Sequence, residues 1–275
     1  TAAALATLIA EHKVALSDTV AKFVPEAPEP GRSRSIAQLL SHRSGLLESC
    51  TEDFDRQSEA MLVRTCLAKP LAHAPGEDEY SNMGYSVLAL IIERVTGERW
   101  ENAVRERVWK PLGMRDIGFT FRGRSDDRFA RGYLKNAEQP PISRQIAGLK
   151  GSDWALRGNG GIQASAPTMI RFLDGILDPK SAFPVAASSL ILSPVPGESG
   201  DSREGFGFAF RYDAQGQLVR MGNAGSDGTF LSYLCWLPQN DVRFYFVGNN
   251  GETEVKPVLQ HALKAAMQLP ARAPS

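Results

Sequence analysis

Four stretches hold residue types that could do chemistry. Tyr80-Ser81-Asn82 follows a Pro75–Gly76 turn and immediately precedes a long helical segment. A tyrosine at such a boundary can point its hydroxyl into a cleft. It acts as a general base only where nearby cations lower its pKa from about 10. An asparagine two residues on can orient a substrate amide. Alone, Tyr-x-Asn fits a surface turn better than a catalytic site. Gly222–Gly228 (GNAGSDG) precedes an apolar, strand-like run. Glycines at a strand entry let backbone N–H groups face a ligand, and they also make ordinary hairpin turns. Ser41-His42 invites a catalytic-triad reading, but adjacent side chains diverge, so both read as structural polar groups. Gly158-Asn159-Gly160-Gly161-Ile162 has the glycine density of a phosphate loop. It lacks the GK[ST] ending and a clear preceding strand, which argues against nucleotide binding.

These residues need elements to hold them. Ala2–Glu11 reads as helix, with Leu5, Leu8 and Ile9 at helical spacing. Ser35 caps a short helix over Ser35–Leu40, and Glu59–Ala68 is a further helix closed by Pro70. From Asn82 to Val95 the residues Val87, Leu88, Ile91, Ile92 and Val95 form one apolar stripe that Gly97 stops. Trp100–Trp109 and Pro167–Leu177 are also helical, the latter capped by Ser165. Residues 118–157 are irregular, with a short strand at Arg131–Leu134. The last third changes period. Gly205–Tyr212, Gln217–Met221, Phe230–Leu237 and Val242–Gly248 read as strands, joined by turn chemistry at Asp213–Gly216 and Pro238–Asp241. Glu254–Met267 closes the chain as a helix. Helices, then antiparallel hairpins, then a helix argue an α+β fold in which helices cover a sheet.

Composition narrows the function classes. Over 275 residues, 43% are hydrophobic and 23% charged, the values of a soluble globular protein. Lys+Arg and Asp+Glu each total 31, so the net charge is zero. That balance gives no electrostatic footprint for nucleic acid or an anionic membrane. The longest apolar stretch, Val87–Ile92, is far below a membrane span. Three cysteines (Cys50, Cys66, Cys235) and four unpaired histidines offer no metal-ligand spacing. They allow one disulfide if the protein is exported. The tail Pro270–Ser275 is the one linker-like piece, and the chain does not open on Met.

Taken in order, LLSHRSGL, PGEDEYSNMGYSVLALIIERVTG, PLGM, GNGGIQASAPTMIRFL and GNAGS resemble the serine β-lactamase-related family. That family includes class C β-lactamases, D-alanyl-D-alanine carboxypeptidases, D-aminopeptidases and β-lactamase-fold esterases. The resemblance spans roughly residues 1–250. It implies one β-lactamase/transpeptidase-like domain over residues 1–275. Its helical lobe would cover about 15–175, and its sheet lobe about 1–14 and 200–268. It implies acyl transfer to water through a serine acyl-enzyme, a small-molecule or peptide substrate, no cofactor or metal, and a periplasmic or secreted location.

The family's Ser-x-x-Lys supplies the acylated serine and the lysine that helps deprotonate it. Its Tyr-x-Asn matches Tyr80, the implied proton shuttle, and Asn82, the implied substrate contact. Its Lys/His-x-Gly strand motif matches Asn223-Ala224-Gly225. The Ser226 N–H would then complete an oxyanion hole with the nucleophile's own N–H.

Two departures bear on the reading. No serine among the 275 residues has a lysine three positions on. The family's Ser-x-x-Lys precedes a small-residue helix like that at the start of this chain, so the nucleophile is expected upstream of Thr1, with N-terminal strands of the fold. The competing reading is a non-catalytic binding protein on the same fold. Secondly, Asn223 is neutral where the family carries a cation or His. This disfavours carboxylate-bearing substrates and suits neutral esters or amides. Arg122, Arg124, Arg128 and Arg131 could supply a carboxylate site or form a solvated loop. Trp154 and Phe206 could line a pocket or fill the core.

Overall fold

The structure is a computed structural model and describes residues 1–53, 55–119, 129–135, 137–140, 153–251 and 255–269. It begins with α1 (Ala2–Ala10), which is apolar on every side. A helix of that kind has no solvent face and must be enclosed. Residues Ala3–Leu8 are all buried, and α1 packs on two later helices and on the 105–109 turn. The short α2 (Val20–Phe23) and α3 (Ile36–Leu40) follow. The expected Ser35 cap is present as a full capping box with Gln38.

The segment foreseen as helix 59–68 starts as α4 (Glu59–Met61) and widens to a π-turn over Leu62–Cys66. The long amphipathic stretch forms α5 (Asn82–Thr96). Ser81 caps its N-terminus and Gly97, at φ 70°, ends it in the left-handed conformation. Next, α6 (Trp100–Val104) also passes into a π-turn, Arg105–Trp109. Two short pairs follow: β1 (Ile117–Gly118) with β4 (Gln163–Ala164), and β2 (Tyr133–Leu134) with β3 (Ala137–Glu138). Then come α7 (Ala166–Leu177) and α8 (Val185–Ile191), the second of which the sequence reading did not anticipate.

The main sheet is antiparallel, in sequential order β5 (Ser202–Glu204), β6 (Ala209–Tyr212), β7 (Leu218–Ser226), β8 (Leu231–Leu237) and β9 (Val242–Gly248). The closing helix is α9 (Val255–Met267). One large apolar cluster joins α1, α3, α5, α6, α7 and α8 to one face of the sheet. A smaller one, around Cys235, Leu237, Leu263 and Ala266, seats α9 on the other face. Trp154 and Phe206 are core residues at 5% and 4% exposure, not pocket linings. Among the described residues no helix is long and apolar enough to cross a membrane.

Two strands differ from the sequence expectation. The expected Gly205–Tyr212 strand starts only at Ala209, because Gly207 turns the chain at φ 108°. The expected Gln217–Met221 strand runs on to Ser226, so GNAGS is strand, not strand entry. Pairing with β8 from Met221↔Trp236 to Ser226↔Leu231 overrides the low strand propensity of glycine. At Gly222 the close approach is obligatory. A Cβ there would lie 2.7 Å from Cys235 Cβ and 2.8 Å from the Leu234 carbonyl.

Cys50 and Cys66 form a disulfide with Cα atoms 5.7 Å apart, while Cys235 is free and buried. The bridge ties the loop after α3 to the end of the α4 segment and closes a loop of sequence separation 16. A loop of that size corresponds to about 3 kcal/mol of unfolded-chain entropy. The double variant Cys50→Ala/Cys66→Ala is therefore expected to lose about that much stability in urea unfolding. Loss of under about 1 kcal/mol would show that the bridge constrains little.

Candidate active site

Tyr80 and Asn82 sit at the entrance to α5, and the start of that helix is unusually well fixed. Ser81 Oγ accepts the Gly84 N–H at 3.0 Å and donates to the Leu47 carbonyl at 2.7 Å. The Met83 N–H donates to the Glu48 carbonyl at 3.0 Å. The loop at 47–48 thus grips the turn that presents Tyr80. The tyrosine itself is 55% exposed, an unusual state for a large aromatic ring. Its hydroxyl donates to Asn82 Oδ1 at 2.9 Å. Burial of its covered part, then the carboxylates of Glu48 and Asp53, hold the phenol above its usual pKa. The phenol therefore keeps its proton at neutral pH. Nothing among the described residues supplies the cationic depression that a tyrosinate base requires.

His42 lies beneath this pair. Its ring centroid is 4.4 Å from that of Tyr80 and 4.8 Å from that of Tyr85. Its Nδ1 accepts the Ser81 N–H at 3.1 Å. Ser41 Oγ bonds instead to the Ala37 carbonyl at 2.8 Å, so Ser41 and His42 form no dyad. Tyr85, on α5, donates from its hydroxyl to the Leu40 carbonyl at 2.9 Å.

The glycine-rich strand approaches the same wall. Register with β6 ends at Ala209↔Gly222, so Asn223–Ser226 run on with β8 alone as partner. All four residues are exposed. Asn223 Nδ2 donates to the Gly207 carbonyl at 3.1 Å, so its amide is partly engaged in bracing the strand. A Cβ at Gly207 would lie 2.8 Å from Ala2 Cβ and 3.8 Å from the Tyr85 hydroxyl. The N-terminal turn of α1, the Tyr85 hydroxyl and the open segment of β7 therefore meet around Gly207. Ser226 Oγ accepts the Gly228 N–H at 3.2 Å, and Gly225 pairs with Ser232. Asp227, at the turn, interacts electrostatically with Asp53, which also acts on Tyr80.

The loop Gly158–Ile162, set aside as a phosphate site, has a clear structural task. Asn159 Nδ2 donates to the Ala155 carbonyl at 2.8 Å and to Ser86 Oγ at 3.2 Å, and it reaches the Asn82 carbonyl at 3.5 Å. Thr1 Oγ1 donates to the Gly158 carbonyl. The loop clips α1 to the first turns of α5. Of the arginines proposed for a carboxylate site, Arg131 pairs with Glu138, and Arg122, Arg124 and Arg128 lie outside the described residues. A separate open groove of about 720 Å³ runs between α7 and β9, lined by Ile170, Arg171, Asp174, Arg243 and Tyr245 among others. None of the sequence-derived site residues lines it.

Burial lowers the His42 pKa from 6.5 to about 4. As pH falls from 6.5 the unfolded chain takes up this proton first, so the histidine's contribution is full above about 6.5 and is lost toward pH 4. The loss is at most about 3 kcal/mol at 1.36 kcal/mol per unit. Asp53, Asp78, Glu93 and Glu204 are raised, chiefly by burial, and favour the fold on acidification. A difference measurement isolates the histidine. The stability gap between wild type and His42→Asn is expected to narrow by up to about 3 kcal/mol between pH 7 and pH 4. A gap independent of pH would mean that His42 titrates normally.

The chain is 29% identical over 179 residues to the putative penicillin-binding protein PbpX of Bacillus subtilis strain 168, covering 65% of this chain and 44% of that protein. It thus spans less than half the length of that curated relative. In fold it resembles a penicillin-binding protein from Bacillus halodurans (TM-score 0.76, 18% identity, 95% of this chain and 82% of that one). It also resembles a D-stereospecific amidohydrolase from Streptomyces sp. (TM-score 0.74, 22% identity, 97% and 83%). These likenesses place the helices and antiparallel sheet in the α+β, β-lactamase/transpeptidase-like fold. The beta-lactamase family model matches residues 1–267, and the chain belongs to that family.

Proposed function

We propose that this protein is a serine hydrolase that opens an ester, amide or β-lactam bond through an acyl-enzyme. One observation carries the reading. Tyr80, hydrogen-bonded to Asn82, stacks on His42 and through it reaches Tyr85, whose hydroxyl lies near Gly207, where Asn223 of the open strand segment and the first turn of α1 also arrive. In this reading a Ser-x-x-Lys preceding Thr1 enters the site from the N-terminal end of α1. The serine Oγ bonds to the substrate carbonyl carbon, and its proton passes by way of the lysine and Tyr80 to the leaving nitrogen or oxygen. The C–N or C–O bond then breaks, and water, deprotonated along the same route, cleaves the acyl ester. Asn82 orients the substrate. Asn223 and Gly225 line the acyl pocket, and the Ser226 N–H donates to the developing oxyanion. The site lies between a helical lobe and a sheet lobe of a single domain.

Neutral esters and amides suit this site better than carboxylate-bearing ones. Asn223 offers no charge, and Glu48 and Asp53 both bear on Tyr80. The Cys50–Cys66 bridge suits a periplasmic or secreted location.

The test is labelling of the natural protein with a fluorophosphonate, followed by intact mass and peptide mapping. One adduct, on the serine of a Ser-x-x-Lys upstream of Thr1, is the expected result. No adduct on a folded, full-length protein would leave the non-catalytic binding reading in its place.

A further inference from the structure

We infer that His42 is the positioning residue for Tyr80, its neutral imidazole serving as a shelf that sets the plane of the phenol ring. The inference rests on Tyr80 being the proton-transfer group proposed above. Its geometric content stands separately.

Three observations converge. The first is that His42 brackets Tyr80 along the chain. Its backbone carbonyl accepts the Glu79 N–H at 3.0 Å, and its Nδ1 accepts the Ser81 N–H at 3.1 Å. Both neighbours of the tyrosine are thus tied to one residue 37 to 39 positions away in sequence. The second is the ring stack. The imidazole lies between Tyr80, tilted by 32°, and Tyr85, nearly parallel at 17°. Tyr85 is itself fixed by its bond to the Leu40 carbonyl, so the shelf has a rigid backing. The third is the backbone. His42 sits at φ 56°, at the end of α3, where glycine or asparagine is the usual choice. A histidine held there costs conformational energy that its ring contacts must offset.

Tyr80 needs such a support. More than half of it faces solvent, and the hydroxyl bond to Asn82 fixes only its tip. Without the shelf the phenol would turn about χ1 and χ2, and an ångström of misplacement costs a proton-transfer group about 10²-fold in rate. The lowered pKa agrees with this role, since a neutral ring keeps Nδ1 free to accept.

Two substitutions separate positioning from mere structure. His42→Asn suits the left-handed backbone and retains an acceptor, but it has no ring. His42→Phe retains the ring, while it loses the acceptor and strains the backbone. Stability should therefore fall in the order wild type, Asn, Phe. Activity should fall in a different order: wild type, Phe, Asn. For the full-length protein acting on p-nitrophenyl butyrate, His42→Asn is expected to lose about 10- to 100-fold in kcat at nearly constant KM. His42→Phe should recover most of that loss. Activity that simply follows stability, with Asn at or above Phe, would overturn the shelf.

A readout independent of turnover keeps failure of the proposed reaction distinct. In protein with 13C-labelled tyrosine, the Tyr80 ring signal, assigned through Tyr80→Phe, should be ring-current shifted in wild type and His42→Phe. In His42→Asn it should lose that shift and broaden. An unchanged Tyr80 signal in His42→Asn would overturn the inference whether or not the protein is a hydrolase. A shifted signal in a protein inert to fluorophosphonate would uphold the stacking while removing the acyl-enzyme.

Discussion

Tyr80→Phe is expected to lower kcat/KM for ester hydrolysis by about 10²–10⁴-fold, the range for losing a positioned proton-transfer group. Stability should change by no more than about 0.5 kcal/mol, as for most exposed positions. The side chain is 55% exposed, and its hydroxyl donates to Asn82 Oδ1, a bond the phenyl ring can leave without burying a lone polar atom. The stack on His42 survives, because Phe presents the same face. That separation of activity from stability gives the variant its force. A loss of activity accompanied by unfolding would say little about chemistry, whereas a loss in a protein of unchanged urea midpoint places the hydroxyl in the reaction. Turnover at the wild-type rate would end the acid/base assignment. Tyrosinate absorbance supplies a companion result. Burial with Glu48 and Asp53 raises this phenol, so the wild-type minus Tyr80→Phe difference should show no ionisation near neutral pH. A neutral-pH tyrosinate would require a cation close to the hydroxyl, and among the described residues none lowers this phenol.

How much of this was legible beforehand depended on the kind of force that fixed each element. Local signals were read well. Ser35 lies at a helix start because its hydroxyl meets an orphan N–H group, and Gly97 ends α5 because it takes a positive φ without a Cβ penalty, while Ser165 stands at the N-cap of α7 without a side-chain bond to a backbone N–H of that helix. The hairpin at Asp213–Gly216 follows from the same turn chemistry. Non-local forces were misread. Residues 222–226 carry two glycines and no β-branched residue, so nothing local marks them as strand, yet β8 draws them into a continuous ladder. Helix α8 has no side-chain cap and only seven residues, and its place is set by packing on α1. Three cysteines allow three pairings, and only the approach of the 50s loop to the α4 segment selects Cys50–Cys66. In the site itself, Tyr80 and Asn82 were visible through their resemblance to a motif. His42 reads as a structural polar group from the sequence, because the neighbour its local pattern offers is Ser41. Its partners, Tyr80 and Tyr85, are far along the chain, and no spacing rule joins them.

Gly158→Ala should be strongly destabilising. The residue takes φ 97°, where an L side chain is strained by about 1–2 kcal/mol. The added Cβ would also stand 2.3 Å from the Tyr85 carbonyl oxygen and 2.7 Å from Ala89 Cβ. Both belong to the first half of α5, and neither a backbone oxygen nor a Cβ can swing aside as a flexible side chain would, so such overpacking costs about 1–3 kcal/mol more. The sum is about 3.5 kcal/mol, which for a chain of this size lowers Tm by roughly 7–14 °C. Gly160→Ala, two residues on in the same loop, is the control. Its φ is not in the left-handed region, and its Cβ would meet only Leu156 Cδ2, at 3.4 Å. That variant should melt within about 3 °C of wild type, by the same scale of Tm with stability. If Gly158→Ala melted there as well, the loop would be able to lift off α5. Asn159 could not then hold the Asn82 carbonyl, and the placing of Asn82 would have to come from Ser81 and the 47–48 loop alone.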